Sequence, residues 1–143
     1  MKLSSSTGTF ELAILGYGHK SSNWRDRNRL QCQVSTNWLK QVDSQSAPLQ
    51  TWEVGRLLSG LRSLWDKATT HLVMTFAESG LSLEAIAMPN DKYRLQIQLN
   101  NALMPNWHAY PDFPLQMDML LNRPQLQAAI NDLASQAAIY PER

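Results

Sequence analysis

Six runs of this chain alternate apolar and polar residues with a period of two, and no other feature restricts the fold as much. Phe10, Leu12 and Ile14 share one face of residues 10–16, with Glu11 on the other. Leu30, Cys32, Val34 and Trp38 alternate with Gln31, Gln33, Ser35 and Asn37. Leu72, Met74 and Phe76 repeat the pattern after His71, and Leu81 and Leu83 open a fourth run that ends near Pro89. Leu95, Ile97 and Leu99 alternate with Arg94, Gln96, Gln98 and Asn100; Leu115, Met117, Met119 and Leu121 face away from Gln116 and Asp118. Buried parallel strands read as continuous apolar runs, so half-polar strands imply an antiparallel sheet with one face in water.

Two segments change to a 3.6-residue period. Over residues 51–69, Val54, Leu57, Leu58, Leu61, Leu64, Trp65 and Ala68 form one stripe, with Thr51 as the expected N-cap and Glu53 in the first turn. Gly55 and Gly60 weaken this helix by about 1 kcal/mol each relative to Ala, so it depends on packing. A second helix starts near Pro124, carries Leu126, Ala129, Ile130, Leu133 and Ala137, and stops at Pro141. Residues 21–28 and 43–48 read as polar loops, Asn90-Asp91 as a tight hairpin and residues 105–114 as a proline-bearing loop. No internal repeat is apparent. The expected fold is α+β: a mainly antiparallel meander of about six strands with two α-helices packed on one face. It forms one domain over residues 1–143, with residues 1–8 as a flexible N-terminus.

Charge narrows the functional classes. Thirteen basic and twelve acidic side chains leave +1, too even for a dedicated nucleic-acid or anionic-membrane binder. The polarity resides instead in 13 Ser, 11 Gln, 9 Asn and 7 Thr. Cys32 is the single cysteine, so neither a disulfide framework nor a thiolate metal site is expected. The start Met1-Lys2-Leu3 superficially suggests a signal peptide, but Ser4–Ser6 and then Glu11 prevent an apolar h-region. No stretch has the 18 or so apolar residues of a membrane span. The expectation is a cytoplasmic protein without membrane association.

Residues that might carry chemistry do not assemble. Gly16-Tyr17-Gly18-His19-Lys20-Ser21 follows a strand, but His19 stands where a phosphate loop needs Gly and no helix follows, so a strand-exit turn is the better reading. His19, His71 and His108 share no metal-ligand spacing, and His108 and Asp112 are separated by Tyr110-Pro111. No Gly-x-Ser-x-Gly elbow occurs around Ser59 or Ser79. Glu78, Glu84 and Asp118 read as solvated face residues as readily as an acid–base pair. No catalytic residue, cofactor or metal ligand is assigned.

Two features suit contact with another macromolecule. Trp24-Arg25-Asp26-Arg27-Asn28-Arg29 is the densest basic cluster, with an aromatic beside it. It reads first as a solvated loop, next as a protein-binding hot spot, and last as a phosphate-and-base contact. The other is an outward sheet face bearing Gln31, Gln33, Ser35, Thr75, Glu84, Gln96, Gln98, Gln116 and Asp118. Amides donate and accept without the desolvation cost of full charges, so such a face either docks a partner or stays wet. The candidate partner-binding residues are Trp24, Arg25, Arg27, Gln31, Gln33, Gln96, Gln98, Gln116 and Asp118.

An ordered set of short motifs carries a resemblance. It comprises Asn28-Arg29-Leu30 through Trp38, Trp52 after a polar stretch, and the helix ending Leu64-Trp65. Residues 72–76 followed by Glu78-Ser79-Gly80-Leu81 come next, then Tyr93-Arg94-Leu95-Gln96-Ile97, Pro105-Asn106-Trp107 and Tyr140-Pro141-Glu142-Arg143. Over about residues 8–143 the chain resembles the WapI-type immunity proteins, which protect bacteria from a contact-dependent toxin. Ser79 and Asn106 stand where that pattern carries Pro. The resemblance implies a cytoplasmic, non-catalytic protein whose partner is a toxin domain. Near-neutral charge argues against acidic mimicry of nucleic acid. The alternatives are a protein-binding adaptor or structural domain, a small hydrolase or ligand-binding domain, which needs a pocket of perturbed titratable groups, and an RNA binder, whose affinity falls steeply with salt.

Overall fold

The computed structural model describes residues 1–18, 22–110 and 112–143, so His19, Lys20 and Ser21 of the glycine-flanked turn, and Pro111, lie outside the described residues. In chain order the elements are β1 (Lys2–Ser4), β2 (Gly8–Tyr17), α1 (Trp24–Arg27), β3 (Arg29–Trp38), β4 (Gln41–Gln50), α2 (Thr51–Trp65), β5 (His71–Thr75), β6 (Leu81–Met88), β7 (Lys92–Leu99), a 3-10 turn (Asn101–Leu103), β8 (Leu115–Asn122) and α3 (Arg123–Ile139). The α+β class and the antiparallel meander are observed. Two sheets replace the expected one, in the orders β1-β2-β3-β4 and β5-β6-β7-β8. No repeat shows in the sequence, yet the architecture is ββββα followed by ββββα.

Besides the 3-10 turn, three elements were not expected. Met1 and Leu3, which the sequence alone places in a flexible terminus, are 1% exposed, and β1 pairs with β2 from Lys2↔Glu11 to Ser4↔Thr9. Residues 43–48, expected as a loop, lie within β4, which pairs with β3 along its whole length. The hairpin joining them turns at Leu39 and Lys40, both at positive φ (51° and 65°) without the Asn-Gly signal that usually marks such a turn. The third is α1, a single turn capped by the Asn23 side chain, inside the expected loop 21–28.

The inward residues of both sheets and the apolar stripes of α2 and α3 merge into one core. In α2, Val54, Leu57, Leu58, Leu61 and Leu64 are buried as the periodicity requires. The helix ends at Trp65, and Ala68, expected in its stripe, is exposed beyond it. Gly60 permits a close approach, since a Cβ there would lie 2.5 Å from the Leu72 side chain on β5.

Both helices start on the residue after the last strand of their unit. Gln50, rather than Thr51, is the N-cap of α2, and its N–H donates to Glu53 Oε1 (2.9 Å). Asn122 caps α3: its Oδ1 accepts from Gln125 N (2.9 Å) while Gln125 Oε1 accepts from Asn122 N (2.8 Å), a complete capping box. At one end of the sheets, the loop end, the connection 76–80 meets the start of β3 and the 3-10 turn, where Glu78 pairs with Arg29 and Asn100 N donates to Gly80 O (3.0 Å). Gly80, at φ +79°, lies so close to Asn100 O that a Cβ would come within 2.4 Å. Glu53, fully buried, spans the two units by accepting also from Ala77 N (2.9 Å).

Candidate protein-interaction surface

The outward amides divide between two faces, because their strands belong to two sheets. Gln31 and Gln33 lie on the first, opposite Pro48 and Ser46 of β4. Ser35 and Ser44 continue that face, their hydroxyls 3.2 Å apart. At its loop end a depression of about 330 Å³ is lined by Leu15, Gly18, Arg29, Gln31, Ser46 and Pro48 among others. Leu15 is 58% exposed there because a bulge between Ile14 and Gly16 leaves it without a partner on β3.

Gln96, Gln98, Gln116 and Asp118 occupy the outer face of the second sheet. The registers give rows Val73–Glu84–Gln96–Asp118 and Thr75–Ser82–Gln98–Gln116. Gln96 Nε2 donates to Asp118 Oδ1 (3.1 Å), Arg94 stands 3.8 Å from the same oxygen, and His71 Nε2 is 3.2 Å from Glu84 Oε1. The small side chains Thr75 and Ser82 leave a shallow depression of about 200 Å³ between Val73, Gln96 and Gln98. Cross-strand pairing thus consumes part of the hydrogen-bonding capacity that the sequence assigns to this face.

Trp24, Arg25 and Arg27 lie at the loop end and are engaged within the chain. Trp24 Nε1 donates to Glu142 Oε1 (3.1 Å), and Arg27 Nε donates to Arg143 O (2.8 Å). Arg25 and Arg29 share Glu78, Arg29 reaching Oε2 at 2.7 Å and Arg25 reaching Oε1 at 3.3 Å. Asn28, which the sequence shows only as part of the basic cluster and the resemblance motif, holds the main chain of Arg143. The sequence signal available was Tyr140-Pro141-Glu142-Arg143 as a motif, with nothing to say what it touches.

Burial pushes the Cys32 thiol up to about 12, so it is neutral at physiological pH. His108 Nε2 contacts Phe113 O (2.9 Å) within its own loop. Among the described residues no three His, Cys, Asp or Glu side chains come together as a metal site. Among the same residues no helix is long and apolar enough to cross a membrane.

The model of the immunity protein WapI-like family matches residues 2–141. The chain belongs to that family. No curated protein matches it. Among solved structures, the one described as "Structure of the plant transcriptional regulator PBF-2" superposes on this WapI-like chain with a TM-score of 0.53 at 9% identity. The superposition covers 98% of this chain and 80% of that one. At such identity the likeness is one of fold alone.

Proposed function

We propose that this WapI-like chain is a non-catalytic immunity protein that acts in the cytoplasm by binding a protein toxin domain and covering its working surface. The observation that carries the reading is the family match over residues 2–141, nearly the full length described. A standard-sized interface takes about 800 Å² from each partner. Against the 7745 Å² of this chain, that is about a tenth of its surface.

The candidate contacts are Gln31 and Gln33 on one face, Gln96, Gln98, Gln116 and Asp118 on the other, and Trp24, Arg25 and Arg27 at the loop end. The near-neutral net charge supports a mixed polar and apolar interface over electrostatic mimicry. The test is co-expression with each product encoded beside this chain, with growth and complex formation as readouts. Restored growth together with a co-eluting complex is the expected result. Growth arrest unrelieved for every neighbouring product, with no complex in any mixture, would reject the reading.

A further inference from the structure

The turn α1 cannot hold itself. Its four residues are exposed or half-buried, and a helix of one turn has no intrinsic stability in water. What fixes it is a strap made by residues 140–143. Asn28, fully buried, donates from Nδ2 to Arg143 O (2.9 Å) and to Trp24 O (2.9 Å) and accepts at Oδ1 from Arg143 N (2.8 Å). One side chain therefore brackets the main chain of Arg143 on both its donor and its acceptor, as a neighbouring strand would. Arg143 Nε donates to Arg27 O (2.9 Å), and its guanidinium lies 3.8 Å over the Tyr17 ring. Tyr17 OH donates to Pro141 O (2.5 Å) and Tyr140 OH to Leu15 O (3.2 Å).

We propose that Trp24 and Arg25, held in place by this strap through Asn28, are the anchor for the toxin, and that they fit a protein epitope with a carboxylate bordered by apolar surface. The proposal rests on the immunity reading and adds the place and the chemistry of contact. Charge sets the first requirement. Glu78 is one carboxylate between two guanidiniums and lies closer to Arg29, while the Arg25 side chain remains 67% exposed. The triad carries +1 with Arg25 open to a second acid. Trp24 sets the other: its N–H is already satisfied by Glu142, yet the residue is 46% exposed, so what it offers is ring surface. Arg29, the other arginine on Glu78, also lines the depression that holds Leu15 and Pro48. Trp and Arg are the residue types that dominate binding energy at protein interfaces, and a strap that orders them beforehand removes the entropic cost of ordering them on contact.

The experiment compares the parent chain with Trp24→Ala, Arg25→Glu and Asn28→Ala, measuring affinity for the toxin domain found by that co-expression at two salt concentrations and proteolytic release of residues 140–143. Trp24→Ala and Arg25→Glu are expected to weaken binding about 30-fold or more, with Arg25→Glu also reducing the salt dependence. Asn28→Ala is expected to release the strap to protease and weaken binding, with the thermal transition of the core retained. If Asn28→Ala does not fold, deletion of residues 141–143 tests the strap by binding alone, with weakened affinity expected and parent affinity overturning the positioning role. A parent chain that protects, with Trp24→Ala and Arg25→Glu binding within about twofold of it, overturns the anchor and leaves the immunity reading standing. A strap still protected in Asn28→Ala overturns the positioning role. A parent chain without toxin binding overturns both readings, and an Arg25-dependent affinity for single-stranded RNA in its place assigns the pair to nucleic acid.

Discussion

Removing the Glu53 carboxylate strands two backbone donors at once, Gln50 N–H at the head of α2 and Ala77 N–H in the second unit. Hydrogen bonds to a buried charged acceptor contribute roughly 1.5–3 kcal/mol each. Glu53→Ala is therefore expected to cost about 3 kcal/mol or more in urea denaturation, with Glu53→Gln intermediate. Cys32 makes an opposite kind of prediction. With its pKa near 12 and 2% exposure, the thiol should resist a disulfide reagent at about pH 8 in the folded protein and react only as the chain unfolds. Rapid modification under native conditions would contradict this burial. At this scale the sequence showed which residues at the loop end were unusual. Trp24, Arg25 and Arg27 stood out as arginines beside an aromatic. The intramolecular partner of Arg27 and Asn28, Arg143, is more than a hundred positions away, and a tertiary contact of that kind leaves no local pattern.

Gly55 lies in α2 with helical neighbours on both sides, and a methyl group there would meet nothing within 4 Å. Gly55→Ala should raise stability by about 0.5–1 kcal/mol, seen as a higher urea midpoint with an unchanged slope. A methyl group at Gly60 collides with Leu72, so a gain there is not expected. Elements were legible where burial imposed a period: β2, β3 and β5 through β8 and both long helices follow from alternation or stripes. β4 was not, because Val42, Ser44 and Ser46 face outward and Asp43 and Gln45 are only half-buried, so apolar alternation begins late, at Ala47 and Leu49. As an edge strand it has less need of an apolar rhythm, and its hairpin lacks turn chemistry that would have announced it. β1 was missed because three residues are too few to display a period.

The two ββββα units are tied across their seam, so neither is expected to fold alone. Arg29 of the first unit pairs with Glu78 of the second, and Gln136 of α3 accepts from Ile14 N on β2 (2.6 Å). Residues 1–66 expressed separately should give no cooperative thermal transition, whereas the full chain gives one. The Met1 ammonium meets Asp132 of α3 (2.5 Å) and holds that carboxyl below its usual value of 3.8. A carboxyl lowered on folding stabilises above its unfolded pKa and loses that contribution as pH falls through the folded one. Asp132→Asn should thus be less stable than the parent at neutral pH, with the gap closing below about pH 4; because Asp132 is half-exposed, the gap should be small. The strand-to-helix junctions, where Thr51 follows Gln50 and Arg123 follows Asn122 without a spacer, carry a further implication. Extra residues inserted there would rotate a helix away from its sheet. Growth of the chain is instead easiest in the connections beside Trp24, which can lengthen while the two sheets keep their dimensions.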